Sequence, residues 1–151
     1  MTSSRCESIL DQLRAQGQAT VVFAVQGGSF SEGMDYQGDM LIGAFVVGPP
    51  LPNFDLEREG MREYYQRRFG AGFEYAYAIP AMAKAIQAAG RVIRSETDRG
   101  IIVLMDDRFL EPGFSGSMPV DWFESEAREL VSDGILKELA DFWAGQASGG
   151  S

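Results

Sequence analysis

Residues 98–105 read Asp98-Arg99-Gly100-Ile101-Ile102-Val103-Leu104-Met105, an apolar run released by a glycine and ended by Asp106-Asp107. That is the pattern of a buried strand. Upstream, Pro80 fits the first turn of a helix running through Met82, Ile86, Ala89 and Ile93. Before that, Asp55 can cap a helix through Tyr64, Tyr65 and Phe69, with Gly70 and Gly72 beyond its end. Leu41–Val47 reads as a second strand, stopped by Gly48-Pro49-Pro50-Leu51-Pro52, which must be irregular. Ala19-Thr20-Val21-Val22-Phe23-Ala24-Val25 is a continuous, β-branched run suited to a parallel strand buried on both faces. In front of it, Ser4-Arg5-Cys6-Glu7 has the form of a capping box, and Ile9, Leu10 and Leu13 follow at helical spacing before Gly17. Downstream, Trp122–Leu130 and Ile135–Trp143 read as short amphipathic helices, and 147–151 as a frayed tail. Three apolar strands among such helices predict an α/β domain with a mostly parallel sheet.

At 151 residues a single domain with a sound core is expected, and 45% hydrophobic with 11% aromatic residues is the composition of a folded globule. The chain contains no His, which excludes Ser-His and Cys-His catalysis and an imidazole zinc site. Its one cysteine, Cys6, excludes an intrachain disulfide and a four-cysteine metal or iron–sulfur site, and reads as a small buried apolar residue. No apolar run approaches a membrane span and the N-terminus lacks a signal-peptide core, so the chain reads as soluble, not secreted and without a membrane partner.

The formal net charge of −9 argues against nucleic acid if taken over the whole chain. It is unevenly spread. Residues 1–57 carry −5, residues 101–151 carry −7, and residues 58–100 carry +3. Eleven of the thirteen cations are arginine, the side chain suited to bidentate grip on phosphate. For Arg58, Arg62 and Arg67 the competing reading is a salt-bridged helix surface.

Function in an α/β domain is expected in loops at the carboxyl ends of strands. The first such place is the loop 26–35, whose glycines let backbone N–H groups approach a phosphate beside Glu32 and Asp35. It is not a P-loop, since neither Lys84 nor Lys137 follows a glycine. The second is Gln87-Ala88-Ala89-Gly90-Arg91-Val92-Ile93-Arg94. Spacing would place Gln87, Arg91 and Arg94 on one helix face, with Gly90 admitting a close neighbour inside the helix. Such a face could bind a polyphosphate and stabilise charge in phosphoryl transfer, or else pair with Glu96 or Asp98. The third is Asp106-Asp107-Arg108, where paired acids could hold a metal but a solvated turn is favoured. Tyr64, Tyr65 and Phe69 read as core packing. Phe73, Tyr75 and Tyr77 are open to a base-stacking role.

Gly28-Ser29-Phe30-Ser31-Glu32-Gly33-Met34-Asp35 resembles motif V of superfamily 2 helicases in the version used by the XPD/DinG family. Gln87–Ser95, followed by Asp98-Arg99-Gly100 and a strand, resembles that family's motif VI, and Gly48–Pro52 and Arg62-Glu63-Tyr64-Tyr65 match its pattern between them. The resemblance implies a RecA-like three-layer domain over residues 1–145, the second motor domain of an ATP-dependent 5′-to-3′ DNA helicase, with 146–151 a disordered tail. It implies that Arg91 and Arg94 are arginine fingers reaching the γ-phosphate of ATP held by a first motor domain, with Gln87 at the same nucleotide. Gly33 and Asp35 would approach the nucleotide, Gly28 and Ser29 a phosphate of single-stranded DNA, and Glu32 would link the two sites. ATP and Mg²⁺ would be the cofactors, bound mainly by the first motor domain, and the location cytoplasmic (nucleoid) or nuclear.

The family's Walker A lysine, DEAH acids and iron–sulfur cysteines are absent from this sequence, as are the strands it places ahead of Ser4. The chain is therefore expected to be an N-terminally truncated domain, without an iron–sulfur cluster and inactive alone. The alternative is a non-catalytic RecA-like module that binds DNA or protein through residues 58–100.

Overall fold

A computed structural model describes residues 8, 9, 11, 12, 15, 17, 19–28 and 40–147. Two strands, β1 (Gly43–Val46) and β2 (Ile101–Leu104), pair in parallel with Gly43 opposite Ile101 and Val46 opposite Leu104. The ladder extends through Ile101 N–H to Ile42 O (3.0 Å) and Met105 N–H to Val46 O (2.9 Å). The connection between them holds α1 (Leu56–Phe69), a π-helical turn (Glu74–Ala78) and α2 (Ile79–Ala89). After β2 come a 3-10 turn (Asp107–Leu110) and the one-turn helix α3 (Pro112–Ser115). These elements lie in one compact unit ending at Ser117; a second unit, from Met118, holds a 3-10 turn (Ala127–Leu130) and α4 (Ile135–Ala147). The α/β class with a parallel sheet is as expected from the sequence.

The expected strand at 19–25 is not formed. These residues pair with no strand among the described residues, and Val21 (79%), Phe23 (95%) and Val25 (81%) are exposed. A continuous apolar run reports a preference for an extended chain covered on both faces, but it does not supply the neighbours that would cover it.

Helix α1 begins and ends where its sequence says. The Asp55 side chain accepts from Arg58 N–H at 2.7 Å, and Gly70 closes the helix in the left-handed region (φ 71°), its N–H returning to Gln66 O. Glu57 and Glu59 in the first turn and Arg67 and Arg68 in the last oppose the helix dipole. No residue of α1 is fully buried. Tyr64 and Phe69 are more than half exposed, so the expected core packing of Tyr64, Tyr65 and Phe69 is replaced by a surface stack. Tyr65 lies 4.8 Å from Tyr75 and 6.1 Å from Phe69, ring centre to ring centre. Rings shared between a helix and its neighbouring turn satisfy one another without entering the interior.

The π-helical turn leads directly into α2, and Pro80 is the reason for an irregular entry. Proline has no N–H for the carbonyl four residues back, that of Ala76. Ala76 is fully buried, and the guanidinium of Arg58 on α1 donates to its carbonyl at 3.2 Å. Tyr77 O–H donates to Glu59 (2.7 Å), and Gly72 N–H to the Gln66 side chain (3.0 Å), completing the attachment of α1.

Ala78, Ala81, Met82, Ala85 and Ala89 recur at helical spacing, and all are buried. With Val46, Phe109 and Phe114 they form the core of the first unit, where Phe109 and Phe114 meet edge to face at 6.4 Å. Small side chains on α2 allow the aromatic turn after β2 to approach. A Cβ at Gly113 would lie 3.5 Å from that of Ala78.

In the second unit the expected helix at Trp122–Leu130 is reduced to the Ala127–Leu130 turn. The Glu129 carboxylate accepts the backbone N–H groups of Glu124, Ser125 and Glu126 at 2.9–3.1 Å, which folds the chain over the would-be first turn. Helix α4 carries Phe142 and Trp143 edge to face at 5.0 Å. Gly17 has φ 59°, as suits a helix terminator, while the Ser4–Glu7 box, Cys6 and the tail from 148 lie outside the described residues. No helix among the described residues is long and apolar enough to cross a membrane.

Candidate functional site

The glycine loop after Val25 is described only at its start. Gly28 N–H donates to Val25 O (3.0 Å), and a Cβ at Gly28 would lie 2.9 Å from that oxygen, so this tight turn requires glycine. Ser29, Glu32, Gly33 and Asp35 lie outside the described residues. Gln26 buries its side-chain oxygen without a hydrogen-bond partner among the described residues, a feature that no motif flagged.

The paired-arginine segment is described throughout, and it departs from the helix-face reading. Helix α2 ends at Ala89. Gln87 stands exposed in its last turn, Gly90 is the C-cap, and Arg91 and Val92 turn back with N–H bonds to Ala88 O (3.2 Å) and Ala89 O (2.9 Å). Arg91 and Arg94 therefore follow the helix in a turn and loop and do not share its face. Gly90 also has ordinary helical dihedrals, and a Cβ there would stay 3.4 Å or more from the nearest atoms, so neither its backbone nor a close neighbour calls for glycine.

The segment precedes β2, which puts it at the amino end of that strand and not at the carboxyl edge where function was expected. A crossover joining parallel strands must bring the chain back to where the second strand starts, so the end of α2 reaches that edge by topology.

Two contacts fix this loop. Val92, between the arginines, is 5% exposed, and a Cβ at Gly100 would collide with its Cγ1 and approach Ile42 O at 3.1 Å. Gly100 is thus the space that Val92 fills at the mouth of β2. On the far side, Asp98 Oδ2 accepts Arg94 N–H (2.8 Å) and Ser95 N–H (2.9 Å). The Arg94 N–H first, then the Ser95 side chain and its N–H, hold the Asp98 carboxyl below its ordinary range.

At the carboxyl edge, Asp106 caps the 3-10 turn and forms a bidentate pair with Arg108 (2.8 and 2.7 Å) beside Gly48, whose φ is 80°. The Arg108 side chain, with its backbone N–H, lowers the Asp106 carboxyl to about 2. This is a structural clasp, in line with a turn role for these acids. Among the described residues no group of three or more His, Cys, Asp or Glu is placed to hold a metal. On α1, Arg62 pairs with Glu59 (2.7 Å) and Arg67 with Glu63 (2.8 Å), which gives the basic segment the salt-bridged surface of the competing reading.

A family model described as the helicase C-terminal domain matches residues 2–125, a span that includes both the glycine loop and the paired-arginine segment. The chain belongs to this family. Among its relatives, an ATP-dependent DNA helicase chl1 from Neosartorya fischeri is 25% identical over 153 residues, covering 88% of this chain and 18% of that protein. An ATP-dependent DNA helicase DinG from Photobacterium profundum is 36% identical over 96 residues, 62% of this chain and 13% of its own length. An ATP-dependent DNA helicase CHL1 from Meyerozyma guilliermondii is 30% identical over 157 residues, 94% and 19% respectively. The chain is thus a helicase C-terminal domain of the XPD/DinG type, RecA-like in class, and spans under a fifth of these relatives.

Proposed function

We propose that this helicase C-terminal domain, over residues 1–145, is the second motor domain of an ATP-dependent 5′-to-3′ DNA helicase, and that Arg91 and Arg94 act on ATP held by a first motor domain. The observation that carries this reading is the doubly anchored loop of Arg91 to Arg94 within the span matched by the family. A guanidinium stabilises charge developing on a transferring phosphoryl group only if its backbone is already in place. Val92 in the Gly100 space and the Asp98 bonds supply that preorganisation.

Gln87, one turn before Arg91, completes the polar set toward the nucleotide. Gly33 and Asp35 approach the nucleotide from the glycine loop, Glu32 couples it to the DNA, and Gly28 and Ser29 face a phosphate of the single strand. Mg²⁺ bound with ATP, mainly by the first motor domain, would neutralise phosphate charge. DNA association places the working location in the nucleoid or nucleus.

The test compares the chain alone with the chain joined to a first motor domain carrying a Walker A lysine. ATP turnover stimulated by single-stranded DNA is expected only in the joined form. Tight, strongly salt-dependent binding of single-stranded DNA by the lone chain, with no turnover on joining, would instead establish a non-catalytic binding module.

A further inference from the structure

We propose that Asp98 is a positioning residue that sets the backbone of Arg94 independently of Arg91. The inference deepens the finger assignment and rests on it. Asp98 Oδ2 takes two consecutive N–H groups, those of Arg94 and Ser95, at 2.8 and 2.9 Å. The Asp98 N–H returns to Ser95 O (3.2 Å), and Ser95 Oγ and Thr97 Oγ1 lie 3.0 Å apart, so 94–98 is a closed loop about one carboxylate. Arg91 is held by a different device: its N–H and that of Val92 continue the end of α2, and Val92 is sunk against Gly100.

The division matters because Ile93, which separates the two devices, is 44% exposed. Without the Asp98 carboxylate, the consecutive N–H groups of Arg94 and Ser95 would lose the acceptor they share. Charge-assisted bonds from a carboxylate to two N–H groups are about twice as strong as neutral ones, which suits a fixed pivot for a long side chain. The pivot fixes where the Arg94 side chain leaves the backbone, and so where its guanidinium can reach. Asp98 itself touches no phosphate in this scheme.

The first measurement uses the chain as it is. Amide hydrogen exchange by NMR should accelerate about tenfold or more at Arg94 and Ser95 in Asp98→Ala, with exchange at Val92 unchanged and only a modest fall in melting temperature. Asp98→Asn, which keeps an acceptor oxygen on the same stem, should restore most of the protection. Unchanged exchange at those two amides overturns the proposal.

The second measurement uses the chain joined to a first motor domain. Asp98→Ala should lower kcat about tenfold or more while KM for ATP stays within about twofold. Combined with Arg94→Ala it should add no further loss, whereas combined with Arg91→Ala the losses should multiply. Multiplicative losses with Arg94→Ala overturn the proposal even if the exchange result holds. If Arg94→Ala itself leaves turnover intact, the finger assignment fails, and exchange at Arg94 still decides whether Asp98 sets that backbone.

Discussion

Replacing Gly100 by alanine places a methyl group where Val92 Cγ1 now sits, with Ile42 O 3.1 Å away on the other side. The carbonyl belongs to the β1–β2 ladder and cannot move far, since it accepts Ile101 N–H at 3.0 Å. Val92 must therefore give way. Overpacking a filled site costs about 1–3 kcal/mol, while the entropy gained by exchanging glycine for alanine returns about 0.4–1 kcal/mol. A net loss of about 0.5–2 kcal/mol in urea unfolding of the chain is expected. Val92→Ala alone should lose about 1.5–3 kcal/mol of burial. The decisive comparison is the double substitution. Removing Cγ1 vacates the space that the new methyl needs, so Gly100→Ala should cost little or nothing in the Val92→Ala background. That is a favourable coupling of about 0.5–3 kcal/mol. Costs that add within about 0.3 kcal/mol would refute the packing of Val92 on Gly100, and with it the upstream anchor of the arginine loop.

Arg58→Met keeps the aliphatic stem but withdraws the donor from the buried Ala76 carbonyl, which Pro80 cannot serve; urea unfolding should show a loss of about 1–3 kcal/mol, and Arg58→Lys a smaller one. The Glu59 carboxyl is held below its ordinary 4.5, first by the Tyr77 hydroxyl and then by Arg62. Its contribution is therefore full above that value and is lost as pH falls through the lowered one, so Tyr77→Phe should flatten the acid limb of melting temperature against pH. Asp106 behaves in the same direction, its contribution full above 3.8 and lost as pH falls toward about 2. Asp106→Asn should remove that part of the pH dependence and leave the curve above pH 5 parallel to the parent.

The boundaries of α1 were legible because single residues decide them: Asp55 offers an acceptor to Arg58 N–H, and only a residue like Gly70 adopts φ 71° without strain. Strand β2 was equally plain, being short, apolar and released by glycine. The end of α2 was not. Ile93 continues the apolar spacing past Gly90, and spacing alone cannot show that Val92 is claimed by Gly100. The π-helical turn was hidden for a related reason, since its stability involves Arg58 on another helix. Strand 19–25 failed because an apolar run specifies burial and not a partner. Of the candidate site, the residue types were readable in Gln87, Arg91 and Arg94; the clasp by Asp98 was not, because its spacing fits a salt bridge to a guanidinium as well as the backbone bonds it makes.

Single-turnover ATP hydrolysis with single-stranded DNA present, measured on the chain joined to a first motor domain and on its Arg91→Ala and Arg94→Ala forms, tests the phosphoryl-transfer role most directly. Each substitution should lower the rate by about 10³ with ATP still bound. Rates within a few fold of the parent in both forms would contradict it.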